Sequence, residues 1–222
     1  ELEAVPAAEA VDIGIDGSLI GSYGHDDRVC AYAELEALFS LGMPEKTAVC
    51  ILADKEEIGS VGISGMQSHY FEHFMEGLCD AQGVKLSDCF ANSFCLSADV
   101  SNAFDPNWPE TCDKRNNSQL NYGVAICKYT GSRGKGGASD ASAEAMGHVR
   151  STLDKAGVIW QIATLGKVDQ GGGGTVAAYM ANRNIVTVDA GVPVLSMHAP
   201  LELVSKLDCY ETMLACKAIY LA

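Results

Sequence analysis

The chain has 222 residues, 48% of them hydrophobic, which is material for one large α/β domain with a buried core. Its 15 basic residues stand against 29 acidic ones, and the formal charge of −14 argues against nucleic acid or an anionic membrane as a partner while leaving room for bound divalent cations. Nine cysteines without a Cys-x-x-Cys pair, and no apolar run of about eighteen residues, point to reduced core thiols in a cytoplasmic protein with neither a disulfide framework nor a membrane span.

After an N-terminal arm over residues 1–16, β-type and α-type patterns alternate. A helix is expected over 27–41, a strand over 47–53, a helix over 65–82, and strands over 92–98 and 123–129, the second open to antiparallel pairing. Ser139 opens a helix, with Glu144 in its first turns, that Gly157 stops after residue 156. A strand over 158–165, a glycine-rich loop, a helix over 175–182 and a strand over 185–189 follow. Pro200 then starts a last helix that reaches residue 221. This alternation predicts an α/β fold, a three-layer α/β/α sandwich with a mostly parallel mixed sheet.

The run Asp54-Lys55-Glu56-Glu57-Ile58-Gly59-Ser60 puts two adjacent carboxylates at the end of the 47–53 strand, where an α/β sheet presents its chemistry. Neighbouring side chains diverge in an extended or turning backbone, so one glutamate can hold a metal while the other holds a water beside it. An arbitrary acidic pair is more often a solvated turn; the company these two keep changes the weighing. Asp26 and Asp27 precede the first helix, Asp99 follows the 92–98 strand, and His198 lies just beyond the last strand. Taken singly, these are a helix N-cap, a first-turn acid, a turn former and a satisfied histidine. Taken together, carboxylates plus imidazole without thiolates suit a hydrolytic zinc, manganese or cobalt centre better than a structural zinc site.

Three rival patterns are weaker. Gly172-Gly173-Gly174-Thr175-Val176-Ala177 fits a loose dinucleotide-binding turn, but residues 166–170 separate it from the preceding strand and no earlier βαβ half reads the same way. Gly134-Lys135 fails as a phosphate loop, with Tyr129 in place of the first glycine and Gly136 in place of Ser or Thr. His69 and His73 are four apart, but the glutamate stands at 72 and not 70, so they read as exposed helix positions. Arg133 and Lys135 read as solvent-exposed cations, with pairing to a substrate carboxylate as the alternative.

Three segments, Gly24-His25-Asp26-Asp27-Arg28-Val29-Cys30-Ala31-Tyr32, the acidic run 54–60, and Val192-Pro193-Val194-Leu195-Ser196-Met197-His198-Ala199-Pro200, resemble the aspartyl aminopeptidase and aminopeptidase I family of co-catalytic zinc exopeptidases. Residues 102–110 and the glycine loop before Thr175 extend the likeness over essentially the whole chain. The resemblance implies a zinc-exopeptidase-like fold and two divalent metal ions, zinc first, with manganese or cobalt as alternatives. In it Asp26 bridges the metals, Glu57 and His198 complete one site, Asp99 serves the other, and Glu56 is the general base for a water shared by both. Gly173, Gly174 and Thr175 would offer backbone N–H groups to the substrate or its oxyanion. The implied activity is removal of N-terminal residues from peptides with a free N-terminus, by a full-length protein that assembles into a large homo-oligomer.

The family takes a further histidine for the second metal from a His-x-Asp segment upstream of a dimerisation domain, and neither lies in these residues. The expectation is therefore that 17–222 form the C-terminal part of a catalytic domain and 1–16 the tail of the upstream domain. His25 and Lys55 stand where many relatives carry an apolar residue and a histidine. With the second metal site incomplete, the alternative to an active enzyme is a metal-binding or assembly lobe of one.

Overall fold

The computed structural model describes residues 2–133, 136–167 and 169–222; Lys135 and the Gly134-Lys135 pair lie outside them. A hairpin of β1 (Val11–Ile13) and β2 (Leu19–Ser22) precedes helix α1 (His25–Phe39). Helices α2 (Tyr70–Gln82) and α3 (Leu86–Ala91) lead to strand β3 (Phe94–Ala98) and the two-residue β4 (Ser101–Asn102). After a single 3-10 turn come β5 (Val124–Cys127), α4 (Ala143–Ala156), β6 (Trp160–Ala163) and the short α5 (Ala177–Ala181). Strands β7 (Val186–Gly191), β8 (Pro193–Leu195) and β9 (Glu202–Ser205) run into the last helix, α6 (Lys206–Tyr220).

Two sheets result. In the first, ordered β3-β7-β5-β6, β3 lies parallel to β7 and β5 parallel to β6, while β5 and β7 are antiparallel, so the strand left open in the sequence pairs both ways. The second, β1-β2-β9-β8-β4, is antiparallel except at β4 and β8. Side chains alternate across β3 as a pleated strand requires. Phe94 and Leu96 pack with Val149 and Leu153 of α4, whereas Cys95 packs with Phe71 of α2 and Phe90 of α3. Helices thus cover both faces of the first sheet, the α/β architecture expected.

Four local expectations shift, each for a physical reason. Residues 47–53 keep their apolar pattern, and Val49, Ile51 and Ala53 pack against the α2 and α3 cluster, but they join neither sheet. They and residues 93–99 line a common cavity of about 1250 Å³, which leaves this β-type pattern without a ladder neighbour. Helix α2 starts at Tyr70 and not at 65, because the preceding residues are held in turns, the Gln67 N–H donating to the Ser60 carbonyl at 3.1 Å and the Ser68 N–H to the Gly65 carbonyl at 3.0 Å. Helix α4 starts at Ala143, where the Ser142 hydroxyl accepts the Ala145 N–H at 3.1 Å, and stops as expected at Gly157 (φ 71°). Finally, the helix expected from Pro200 is preceded by β9, whose Glu202, Val204 and Ser205 are buried between β2 and β8.

One close approach ties the end of β3 to β7 at Asp99. The Asp99 N–H donates to the Ala190 carbonyl at 3.0 Å, and a Cβ on Gly191 would fall 1.6 Å from the Asp99 carbonyl oxygen. Any side chain at 191 must therefore part the ends of β3 and β7. Gly191→Ala is expected to destabilise the fold by about 2–3 kcal/mol in urea unfolding; a change below about 0.5 kcal/mol, the range of neutral surface substitutions, would mean that this contact is easily relaxed.

Candidate metal centre

The acidic and histidine positions singled out in the sequence gather at one end of the large cavity. Asp26, Glu56, Glu57, Asp99 and His198 all line it. At the start of α1, Gly24 is left-handed (φ 76°) and Asp26 and Asp27 have non-helical dihedrals, with a cis peptide bond between them. The two acids then part company. Asp27 Oδ1 accepts the Cys30 N–H at 3.2 Å, the capping role a first-turn acid commonly takes. Asp26 points to His198 instead.

Glu56 and Glu57 sit in a tight turn closed by the N–H groups of Gly59 and Ser60 on the carbonyls of Glu56 and Lys55. His198 stands in the loop between β8 and β9 with left-handed backbone (φ 67°), a conformation that disfavours a residue with a Cβ. The loop turns through an Ala199 N–H bond to the Ser196 carbonyl.

His198 Nε2 lies 2.8 Å from Asp26 Oδ2 and 3.0 Å from Glu57 Oε1. One donor atom from each of Asp26, Glu57 and His198 falls within 4.8 Å of the others, the spacing of three ligands around one cation. A proton on Nε2 here stands where a metal would receive those oxygens. Asp99 is outside this trio but within electrostatic range of Asp26 and Glu56.

The charges are poorly matched without a cation. Burial and the neighbouring Glu57 raise the Asp26 pKa to about 6. Asp99 is pushed well above the carboxylate range by burial, then by Asp27, Asp26 and Glu56. Glu56 is raised by burial and Glu57, partly offset by His198. For His198, desolvation opposes the charged ring, but Glu57 and Asp26 together outweigh it and its pKa rises. A site that holds several carboxylates partly out of water and favours a cationic imidazole among them has the donor set and the field of a divalent cation site.

The other sequence candidates lie elsewhere. Thr175 is buried, its hydroxyl donating to Asp189 Oδ1 at 2.5 Å and accepting the Ala177 N–H at 3.3 Å; it borders a small void that Asp99 also lines. Gly173 and Gly174 line neither that void nor the large cavity. His25 turns to the Ile20 carbonyl at 3.2 Å, and His69 makes an exposed pair with Glu72 at 2.6 Å.

Glu202 escaped the sequence reading. It is 2% exposed, and its carboxylate accepts the backbone N–H groups of Asp26 and His198, at 3.1 and 2.7 Å. The available signal was an acid amid the alternating Leu201-Glu202-Leu203-Val204-Ser205, four residues beyond His198.

The family model described as aminopeptidase I zinc metalloprotease (M18) matches residues 1–220. A probable M18 family aminopeptidase 1 of Clostridium acetobutylicum is 50% identical over 216 residues, 96% of this chain and 46% of that protein. One of the same description from Borrelia garinii is 48% identical over 227 residues, 99% of this chain and 50% of that protein. The crystal structure of the M18 aminopeptidase from Thermotoga maritima superposes with a TM-score of 0.94 at 45% identity, over 97% of this chain and 49% of that one. The chain spans about half the length of the curated relatives it matches.

The charge pattern sets a pH dependence. Burial raises Glu34 to about 8, Asp189 to about 7 and Asp208 to about 6. Unfolded carboxyls release their protons near pH 4, so between about pH 4 and 8 the folded chain binds more protons than the unfolded one, and stability falls as pH rises through that window. His198, also raised, acts in the same direction, its contribution fading as pH climbs through its folded pKa. The metal-free chain is expected to melt at least about 3 °C lower at pH 8 than at pH 5.5 in calorimetry; an equal or higher Tm at pH 8 would contradict these environments.

Proposed function

We propose, from the fact that this chain belongs to the aminopeptidase I zinc metalloprotease (M18) family, that its residues 17–222 form the C-terminal part of the catalytic domain of a metal-dependent aminopeptidase. Residues 1–16 would then be the tail of an upstream dimerisation domain, with β1 inside them paired onto β2 of the catalytic part. The observation that carries this reading is the convergence of Asp26, Glu57 and His198 within 4.8 Å.

Asp26, Glu57 and His198 would hold one zinc ion, and Asp26 with Asp99 would begin a second site. A bound metal pair would supply Lewis-acid polarisation of the scissile carbonyl and lower the pKa of an attacking water. Glu56 faces the same cavity and is held half-buried beside Glu57, with its pKa raised by burial and by Glu57. That suits it to take a proton from the water and hand it to the leaving amine. The carboxylates around it would bind a substrate's free α-ammonium, which restricts the site to N-terminal residues of peptides. Of the residues expected to offer backbone N–H groups to the substrate, Thr175 borders a void shared with Asp99, whereas Gly173 and Gly174 do not. The full-length protein would be a cytoplasmic homo-oligomer; the exposed Phe39, Met43, Ile58 and Ile63 are apolar surface available for burial in such an assembly.

A second reading, a catalytically incomplete lobe, is favoured by the second site, to which the described residues contribute only Asp26 and Asp99. A catalytic zinc normally takes three protein ligands. The unpaired β-type segment 47–53 and the cavity it shares with β3 leave space where an added strand would fit and bring a further ligand close to Asp99.

Three measurements test the proposal. In the full-length protein, Glu56→Gln is expected to lower kcat by about 10²–10⁴-fold with zinc content unchanged, because an amide cannot accept the proton; undiminished turnover removes Glu56 from the mechanism. Glu57→Gln should lose zinc first and activity with it. The 222-residue chain alone should hold one zinc tightly and turn over no dipeptide. Two tightly held ions with robust turnover would instead show a complete site.

A further inference from the structure

Asp26 and His198 come from distant parts of the sequence, and both stand in backbone outside regular structure: Asp26 at φ −85°, ψ 106° within the distorted start of α1, and His198 at φ 67° in a loop. No ladder of either sheet includes them. Their N–H groups instead donate to the two oxygens of one carboxylate, Asp26 to Glu202 Oε2 at 3.1 Å and His198 to Glu202 Oε1 at 2.7 Å.

We propose that Glu202 is a positioning residue that fixes the Asp26 and His198 backbones at a set separation, so that their side chains meet at one cation position. The inference rests on the metal-site reading above and adds a residue that touches neither the metal nor the substrate.

Two features support it. The two oxygens of a carboxylate are rigidly spaced, so a bidentate acceptor sets the distance between two donors in a way that two independent bonds cannot. Glu202 itself is anchored by β9, paired on one side with β2 (Ser22↔Glu202) and flanked on the other by β8 (Leu195↔Leu203), and its side chain is 2% exposed. Burying this charge is tolerable because charge-assisted bonds from N–H groups are among the stronger ones available. Outer groups that orient ligands in this way commonly carry a 10–100-fold share of metal affinity, roughly.

Glu211 provides a control, since it is also a buried carboxylate accepting a backbone N–H, that of Ile159 at 2.9 Å, but it stands away from the cluster. Zinc affinity of the chain, read by competition with a chromophoric chelator, should fall about 10–100-fold in Glu202→Gln, because the amide presents one acceptor and one donor to two donors. Glu211→Gln should lower stability while leaving zinc affinity within about twofold, as expected of a remote structural group. Equal zinc affinity in folded Glu202→Gln and the parent overturns the proposal. Should Glu202→Gln not fold, hydrogen exchange in the metal-free parent decides. The Asp26 and His198 amides are expected to exchange at least about 100-fold slower than in a free peptide, and free-peptide rates beside a protected β9 overturn it. A parent chain that binds no zinc yet protects both amides would sink the metal reading and leave the clamp standing.

Discussion

The arrangement depends on an electrostatic imbalance: carboxylates from three separate stretches of chain are drawn together, partly out of bulk water, around the imidazole of His198. Asp26, Glu56, Glu57 and Asp99 line one cavity, and the pKa values of Asp26, Glu56 and Asp99 all move upward there. Such crowding opposes folding unless protons or a cation are shared. The imidazole, 2.8 Å from Asp26 and 3.0 Å from Glu57, takes up part of the repulsion. A divalent cation at that point would balance more of it, so the site's instability would become the source of metal affinity.

The sheets explain how distant residues arrive at one place. Register between β3 and β7 pairs Ala98 with Ala190, and Asp99 follows at once, locked by its N–H on Ala190 and by contact with Gly191. From Gly191 the chain passes directly into β8 of the second sheet and then into the His198 loop. The same short stretch thus positions Asp99 on one side and His198 on the other. Strand β9 returns to bind both the His198 loop and the start of α1 through Glu202.

Much of this was legible because the site sits at the ends of elements. Asp26, Glu57 and His198 each follow or precede a recognisable periodic run, and polar residues at such ends stand out against apolar patterns; the likeness to aminopeptidases then assigned roles that periodicity alone could not. What the sequence did not disclose was pairing. The pattern over 47–53 reads as a strand, but strand character depends on a neighbour, and none of the described strands pairs with it. Pro200 read as a helix start because proline suits that position, whereas burial of Glu202 and Val204 between two other strands made the following residues β9. Glu202 was hidden for the same reason: an acid in a short alternating run looks solvent-facing until the tertiary fold brings two backbone N–H groups to it.

The most direct test is anomalous X-ray scattering at the zinc edge from crystals of this chain grown with zinc. A strong peak is expected about 2 Å from oxygens of Asp26 and Glu57 and from a ring nitrogen of His198. Zinc held by cysteine sulfurs or by surface histidines such as His69, with no density among Asp26, Glu57 and His198, would contradict it.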